Sequence, residues 1–204
     1  LSMLCAHGGA WLMLRTDGAL RARSAKATQI MGVLFLICFL GAGAWLYFGN
    51  IQGYTIAAPF DTAGVANPLA KVVLTDANPG WMNNYSDYPI TMVAPIMAIL
   101  GGLIIVLGAS KAKAGITFTG SSLAVTGAIL TAGFALFPFL RPSSINPNVS
   151  LTMWDAVSSK NTLTVMTVAA CIFVPLILCY TTWCYYKMWG VITNKHVQEN
   201  THSL

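Results

Sequence analysis

Four runs of this chain contain no Asp, Glu, Lys or Arg: residues 27–60, 88–110, 114–140 and 161–186. Each meets the requirement of roughly 20 residues for an α-helix to cross a hydrocarbon layer of about 30 Å. The fold class is therefore an all-α integral membrane protein. It is a helical bundle of four complete transmembrane helices, with one partial helix at the N-terminus. Charges kept inside a membrane mark proton relays and ion paths, because they persist there only at a cost. These spans carry no such mark, which argues against chemistry or ion transport by this polypeptide alone.

The chain has 204 residues, of which 56% are hydrophobic and 8% charged, where a soluble domain has about 25% charged residues. Its net charge of +5 does not point to nucleic acid. The basic residues lie between the spans, and no basic groove interleaved with stacking aromatics is visible.

The spans are read at about residues 1–15 (partial), 28–49, 89–109, 116–139 and 162–189. Residues 1–193 form the bundle and 194–204 a polar cytoplasmic tail. Only fourteen residues precede Arg15, and they lack the basic start of a secretory signal. The expectation is a helix whose beginning lies upstream, in a fragment of a longer protein. Arg15, Arg21, Arg23 and Lys26 are read as a basic loop before the second span. Between residues 50 and 87, Gly53, Pro59, Gly64, Pro68, Pro79 and Gly80 forbid a continuous helix.

Lys and Arg concentrate in cytoplasmic loops and so set orientation. Arg15, Arg21, Arg23, Lys26, Lys111, Lys113, Lys187 and Lys195 fall on one side, against Lys71, Arg141 and Lys160 on the other. The first side is read as cytoplasmic, with the C-terminus inside. Aromatic belts mark both interfaces. Trp45, Tyr47, Phe48, Trp81, Tyr85, Tyr88 and Trp154 lie outside. Trp11, Trp183, Tyr185, Tyr186 and Trp189 lie inside.

In the fourth span, Gly120, Ala124, Ala128 and Ala132 recur every four residues, a spacing that lets another helix approach closely in lipid. This face and the last span are expected to pack within the bundle. Pro95 and Pro175 each remove a backbone donor and kink their spans. The kinks either shape packing or open a pocket. A cleft beside Pro175 would suit an isoprenoid tail.

Candidate chemistry is sparse. Cys5, Cys38, Cys171, Cys179 and Cys184 lack CxxC spacing and read as apolar packing residues. His7 lies eight residues before Arg15, hence about 12 Å into the membrane by helix rise. It is either a haem ligand or proton-transfer group, or a packing histidine bonded to a neighbouring helix. A bis-histidine haem needs a second histidine at that depth, and His196 and His202 are in the tail. Asp155, within one turn of the last span, caps that helix or pairs nearby. With Trp154 it otherwise contacts a partner subunit or a quinone headgroup. Thr117, Thr119, Ser121, Ser122, Thr126 and Thr131 line a polar path or bond to helix carbonyls. No phosphate loop, dinucleotide fingerprint, HExxH or GxSxG is present.

Several strings resemble subunit II of the cytochrome bd quinol oxidases. They are HGGAWLMLRT at 7–16, FPFLRPSS at 137–144, SLTMWDAVSS at 150–159, NTLTVMT at 161–167, VPLIL at 174–178 and YTTWCYYKMWG at 180–190. The resemblance runs from near Leu1 to about Thr193 and implies roughly the C-terminal half of that subunit. It implies a respiratory complex of the bacterial inner membrane that oxidises ubiquinol or menaquinol and reduces dioxygen to water. Haems b558, b595 and d would sit on subunit I, a ubiquinone would bind structurally, and a small accessory membrane subunit would be a further partner. This chain would act as structural partner of the haem-bearing subunit. No catalytic, cofactor-binding or metal residue carries over to it. Two other readings are a small multi-span transporter, which places broken helices near the midplane, and a free-standing membrane anchor.

Overall fold

A computed structural model of the chain describes residues 1–49, 51–57, 67, 69, 71–77, 80–191 and 193. The tail from Asn194, with Lys195, His196 and His202, lies outside them, as do Pro59, Asp61, Gly64, Pro68 and Pro79 of the long loop. Six α-helices are described: α1 (Ser2–Arg15), α2 (Gly18–Phe48), α3 (Asn83–Asp87), α4 (Val93–Ser110), α5 (Ala114–Leu136) and α6 (Lys160–Lys187). Of these, α2, α5, α6 and α4 with its preceding turn (Pro89–Ser110) are long and apolar enough to cross a membrane.

Helix α2 begins ten residues before the span read at residue 28, so the expected basic loop is helical. Thr16 and Asp17 alone separate α1 from α2. Asp17 starts the helix, its carboxylate accepting the Gly18 N–H at 2.8 Å. The Ala, Leu, Arg and Lys residues that follow are strong helix formers. Hydropathy locates where a helix enters lipid, whereas capping locates where it starts.

Helices α1, α2, α4 and α5 pack in a ring. Neighbours are α1–α2, α2–α4, α4–α5 and α5–α1, and Ala6, Phe35, Ala98, Ile105 and Ala124 form the core between them. The tightest pair is α4–α5, where backbones meet through small residues. A Cβ added to Gly101 would stand 2.4 Å from the Ala124 nitrogen, and one on Gly127 2.3 Å from the Ala98 nitrogen. Gly120 and Ala124 belong to the small-residue face read from the sequence. Gly101, Gly108 and Gly127 complete the contact.

The α4–α5 turn places Ala112 at φ 51°, a left-handed conformation unfavourable for a residue with a Cβ. Its carbonyl accepts a hydrogen bond from Arg21 of α2 at 3.1 Å.

Helix α6 contributes no buried residue, which differs from the expected packing of the last span within the bundle. The α4–α5 contact rests on small residues, but the middle of α6 is Ile172, Phe173, Val174, Leu176, Ile177 and Leu178. Large side chains of this kind hold neighbouring backbones further apart than the glycines and alanines of α4–α5 do. An apolar cleft of about 590 Å³ lies beside Pro95 and includes Phe39, Ala42, Ala128 and Ala132 in its walls.

At the end of the bundle opposite the α1–α2 turn, the long loop folds into a cap. Strand β1 (Gln52–Ile56) pairs antiparallel with β2 (Val73–Ala77), and β3 (Phe139–Arg141) with β4 (Leu151–Thr152). Gly53 and Gly80 touch so closely that a Cβ on Gly53 would lie 2.2 Å from the Gly80 Cα. Tyr54, Trp81 and Phe139 meet edge-on beside them.

Candidate functional site

Two places concentrate polar and aromatic groups. The first is in the cap, where the buried side chains of Lys71 and Asp155 form an ion pair. Asp155 Oδ2 also accepts from the Thr152 hydroxyl at 2.6 Å and the Thr152 N–H at 3.1 Å. Burial by itself raises the carboxyl pKa. The hydrogen bonds and charge of Lys71, with the Thr152 donors, outweigh burial and leave the group below its usual value. Of the roles read for Asp155, pairing holds and capping does not. Ser159 caps α6, its hydroxyl accepting from the Thr162 N–H at 3.4 Å.

The pair joins two segments far apart in sequence. Asn148 ties them again by accepting the Val73 N–H at 2.8 Å. The cap is fastened to α5 by Tyr85, whose hydroxyl donates to the Thr131 carbonyl at 2.7 Å, and by Asn84, which donates to the Phe134 carbonyl at 2.9 Å. Burial raises the Tyr85 pKa against the opposing effect of the Thr131 bond, so the phenol is held in its donor form.

The second place is the basic end of the bundle. His7 Nδ1 lies 2.8 Å from the Ser121 hydroxyl of α5, and its ring stacks on Phe118 at 5.0 Å. Trp11, one helical turn on, meets Phe118 at 5.5 Å and the Tyr185 ring of α6 at 5.8 Å. Arg15, a further turn on, has its guanidinium 4.7 Å from the centre of Trp11 and 4.3 Å from that of Trp189. It also donates to the Gly190 carbonyl at 3.1 Å. The spacing 7, 11, 15 puts all three side chains on one face of α1. Together with Phe118, Tyr185 and Trp189 they surround the junction between α1, α5 and α6.

His7 is thus engaged by a neighbouring helix, as the packing alternative holds. A cleft here, about 570 Å³, is lined by His7, Gly8, Trp11, Phe118, Tyr185 and Trp189. It presents a single imidazole, and that donor set does not fit a bis-histidine haem. Among the described residues, no three His, Cys, Asp or Glu side chains are grouped to hold a metal. Thr117, Thr119, Ser121, Ser122 and Thr131 each donate to a carbonyl three or four residues back on α5. They satisfy helix carbonyls rather than line a path.

Sequence reasoning missed two elements. Lys71 read only as an orientation charge, since nothing local indicates a partner so far along the chain. The second is the alignment of His7, Trp11 and Arg15, for which their four-residue spacing is the signal.

Residues 1–188 match the family model for cytochrome bd terminal oxidase subunit II. The chain is 43% identical over all 204 residues to the Escherichia coli K12 protein named cytochrome bd-I ubiquinol oxidase subunit 2, of which it covers 53%. Over the same 204 residues it is 38% identical to a probable cytochrome oxidase subunit 2 from Haemophilus influenzae, again covering 53%. Against the cytochrome bd ubiquinol oxidase subunit 2 of Bacillus subtilis the identity is 29% over 199 residues, 96% of this chain and 49% of that protein. The chain spans about half the length of the curated relatives it matches.

Proposed function

Because the chain belongs to the cytochrome bd terminal oxidase subunit II family, we propose that it is part of a quinol-oxidising, dioxygen-reducing complex in a bacterial cytoplasmic membrane. Its role there is structural partnership with a haem-bearing subunit I. One observation carries this reading: 43% identity to a ubiquinol oxidase subunit 2 along the entire chain. The uncharged spans are consistent with a scaffold, which needs no relay carboxylate.

Haems b558, b595 and d belong to subunit I in this reading, which supplies the redox chemistry. The residues of this chain hold the cap together, close the α4–α5 contact and present α6 to its surroundings. The proposed orientation follows the basic residues: Arg15, Arg21, Lys111 and Lys187 face the cytoplasm, the cap faces outward, and the C-terminus is inside. The apolar cleft beside Pro95 is the place where a structural ubiquinone tail fits best. A small accessory subunit is a further proposed partner.

The test is purification of the intact parent protein from its native membrane by an affinity tag, followed by a reduced-minus-oxidised spectrum and quinol-driven oxygen uptake. Haem b and haem d bands with a co-purifying larger subunit are expected. A colourless preparation without a partner would overturn the reading. The transporter alternative is not favoured, and solute flux in vesicles containing the protein alone would be needed to revive it.

A further inference from the structure

The junction of α1, α5 and α6 has the form of a lipid site. Helix α6 does not pack along the bundle; the ring and cation contacts at its basic end hold it there. Between it and the bundle lies the aromatic cleft of about 570 Å³. One wall is open at Gly8, where an added Cβ would meet nothing within 4 Å. A cleft at membrane depth with apolar walls is filled by apolar matter, because unfilled walls lose their dispersion contacts.

At the end of this cleft, Trp11 and Trp189 flank the Arg15 guanidinium. Contact with both rings and the bond to Gly190 restrict the guanidinium, and one of its five N–H donors is used by that bond. Among the described residues no carboxylate pairs with Arg15. Lys187 ends α6 at the same end of the bundle, and Arg21, Arg23 and Lys26 lie in the first turns of α2. The end is therefore strongly cationic, with a planar donor set against Trp11 and Trp189, two of the residues that line the apolar cleft. A planar fork suits a phosphate, which it can bind through two parallel hydrogen bonds. Basic pockets between transmembrane helices bind anionic lipid headgroups.

We propose that this junction binds one anionic phospholipid, its phosphate on Arg15 and an acyl chain in the cleft lined by His7, Trp11, Phe118 and Tyr185. The lipid is the mortar between α6 and the bundle. The site does not depend on the redox function of the complex.

The test is native mass spectrometry of the full-length protein with any partner it retains, delipidated and titrated separately with dioleoyl phosphatidylglycerol, dioleoyl phosphatidylcholine and inorganic phosphate. One phosphatidylglycerol per chain is expected to bind in preference to phosphatidylcholine, with inorganic phosphate not retained. Arg15→Gln is expected to weaken it about tenfold, the order of a lost charge-assisted hydrogen-bond pair. Arg23→Gln, which removes a charge from the same end, is expected to leave it unchanged. Equal binding of the two lipids by the unmutated protein would overturn the headgroup assignment, and needs no variant. Equal weakening by Arg15→Gln and Arg23→Gln would reduce the effect to general surface charge and overturn the site. Should Arg15→Gln not fold, Arg15→Lys serves instead; retention of full affinity by this forkless cation would overturn the role of the guanidinium.

Discussion

Lys71 and Asp155 stand 84 positions apart in the chain, yet their side chains are 0% and 2% exposed and paired with each other. The pair draws the long loop and the segment before α6 into one cap. Removing one partner leaves a buried charge uncompensated, and this typically costs about 3–5 kcal/mol. Asp155→Leu is expected to show a loss of that size in detergent unfolding, and Lys71→Met a similar one. The double variant is expected to recover the part due to the unpaired charge but not all of the loss, because the buried Thr152 N–H and hydroxyl still lack the acceptor that Asp155 supplied. Additive losses in the double-mutant cycle would contradict this.

The same carboxylate makes stability depend on pH with a definite sign. Its folded pKa lies below the usual value, so the unfolded chain binds the proton more readily. The contribution is present above the unfolded value of about 3.9 and is lost as pH falls through the depressed folded value. Acid unfolding followed by Trp fluorescence is expected to show this loss, with a shallower acid limb in the Lys71→Met/Asp155→Leu variant.

Gly101→Val is expected to force α4 from α5, since even its Cβ would lie 2.4 Å from the Ala124 backbone nitrogen. Overpacking of this kind costs about 1–3 kcal/mol or more, and backbone cannot swing aside as a flexible side chain can. Gly133→Ala on α5, where an added Cβ meets nothing within 4 Å, is the control expected to be tolerated and slightly stabilising, since alanine favours helix over glycine. Thermal denaturation of both in one detergent checks the contrast.

Ala112→Gly is expected to stabilise. The residue is at φ 51°, where an L side chain costs about 1–2 kcal/mol relative to the right-handed region. Part of that gain is offset by the greater freedom of glycine in the unfolded chain, leaving a net increase of about 0.5–1 kcal/mol. An unchanged or lower midpoint in chemical unfolding would contradict the assignment.

His7→Ala is expected to cost about 0.5–1.5 kcal/mol for the lost bond to Ser121, together with its stacking on Phe118. The haem spectrum of the complex is expected to be unchanged. A missing haem band would make His7 a ligand.

What the sequence makes legible follows the range of each interaction. The spans and the Gly120–Ala124 face are written in local spacing, and the four-residue repeat is itself the helix contact. The start of α2 lies before the span read from hydropathy because hydropathy reports immersion, while Asp17 and the alanines after it report helix. The cap was illegible because its order rests on Lys71–Asp155, Asn148–Val73 and Gly53–Gly80. None of these contacts leaves a local pattern. The partners of His7 were present in the sequence as Ser121 and Phe118, but only the packing of α1 on α5 selects them from many similar residues.

Helix α6 spans 28 residues without burying one, and this changes where mutations in it are felt. In α4 or α5 an altered side chain disturbs neighbours in the same polypeptide and shows as lost stability. In α6 the side chains bury nothing against the described residues, so those residues register such a change only weakly. The effect passes to whatever covers the helix, whether lipid, a partner subunit or another part of the same protein, and is set by the fit to that cover.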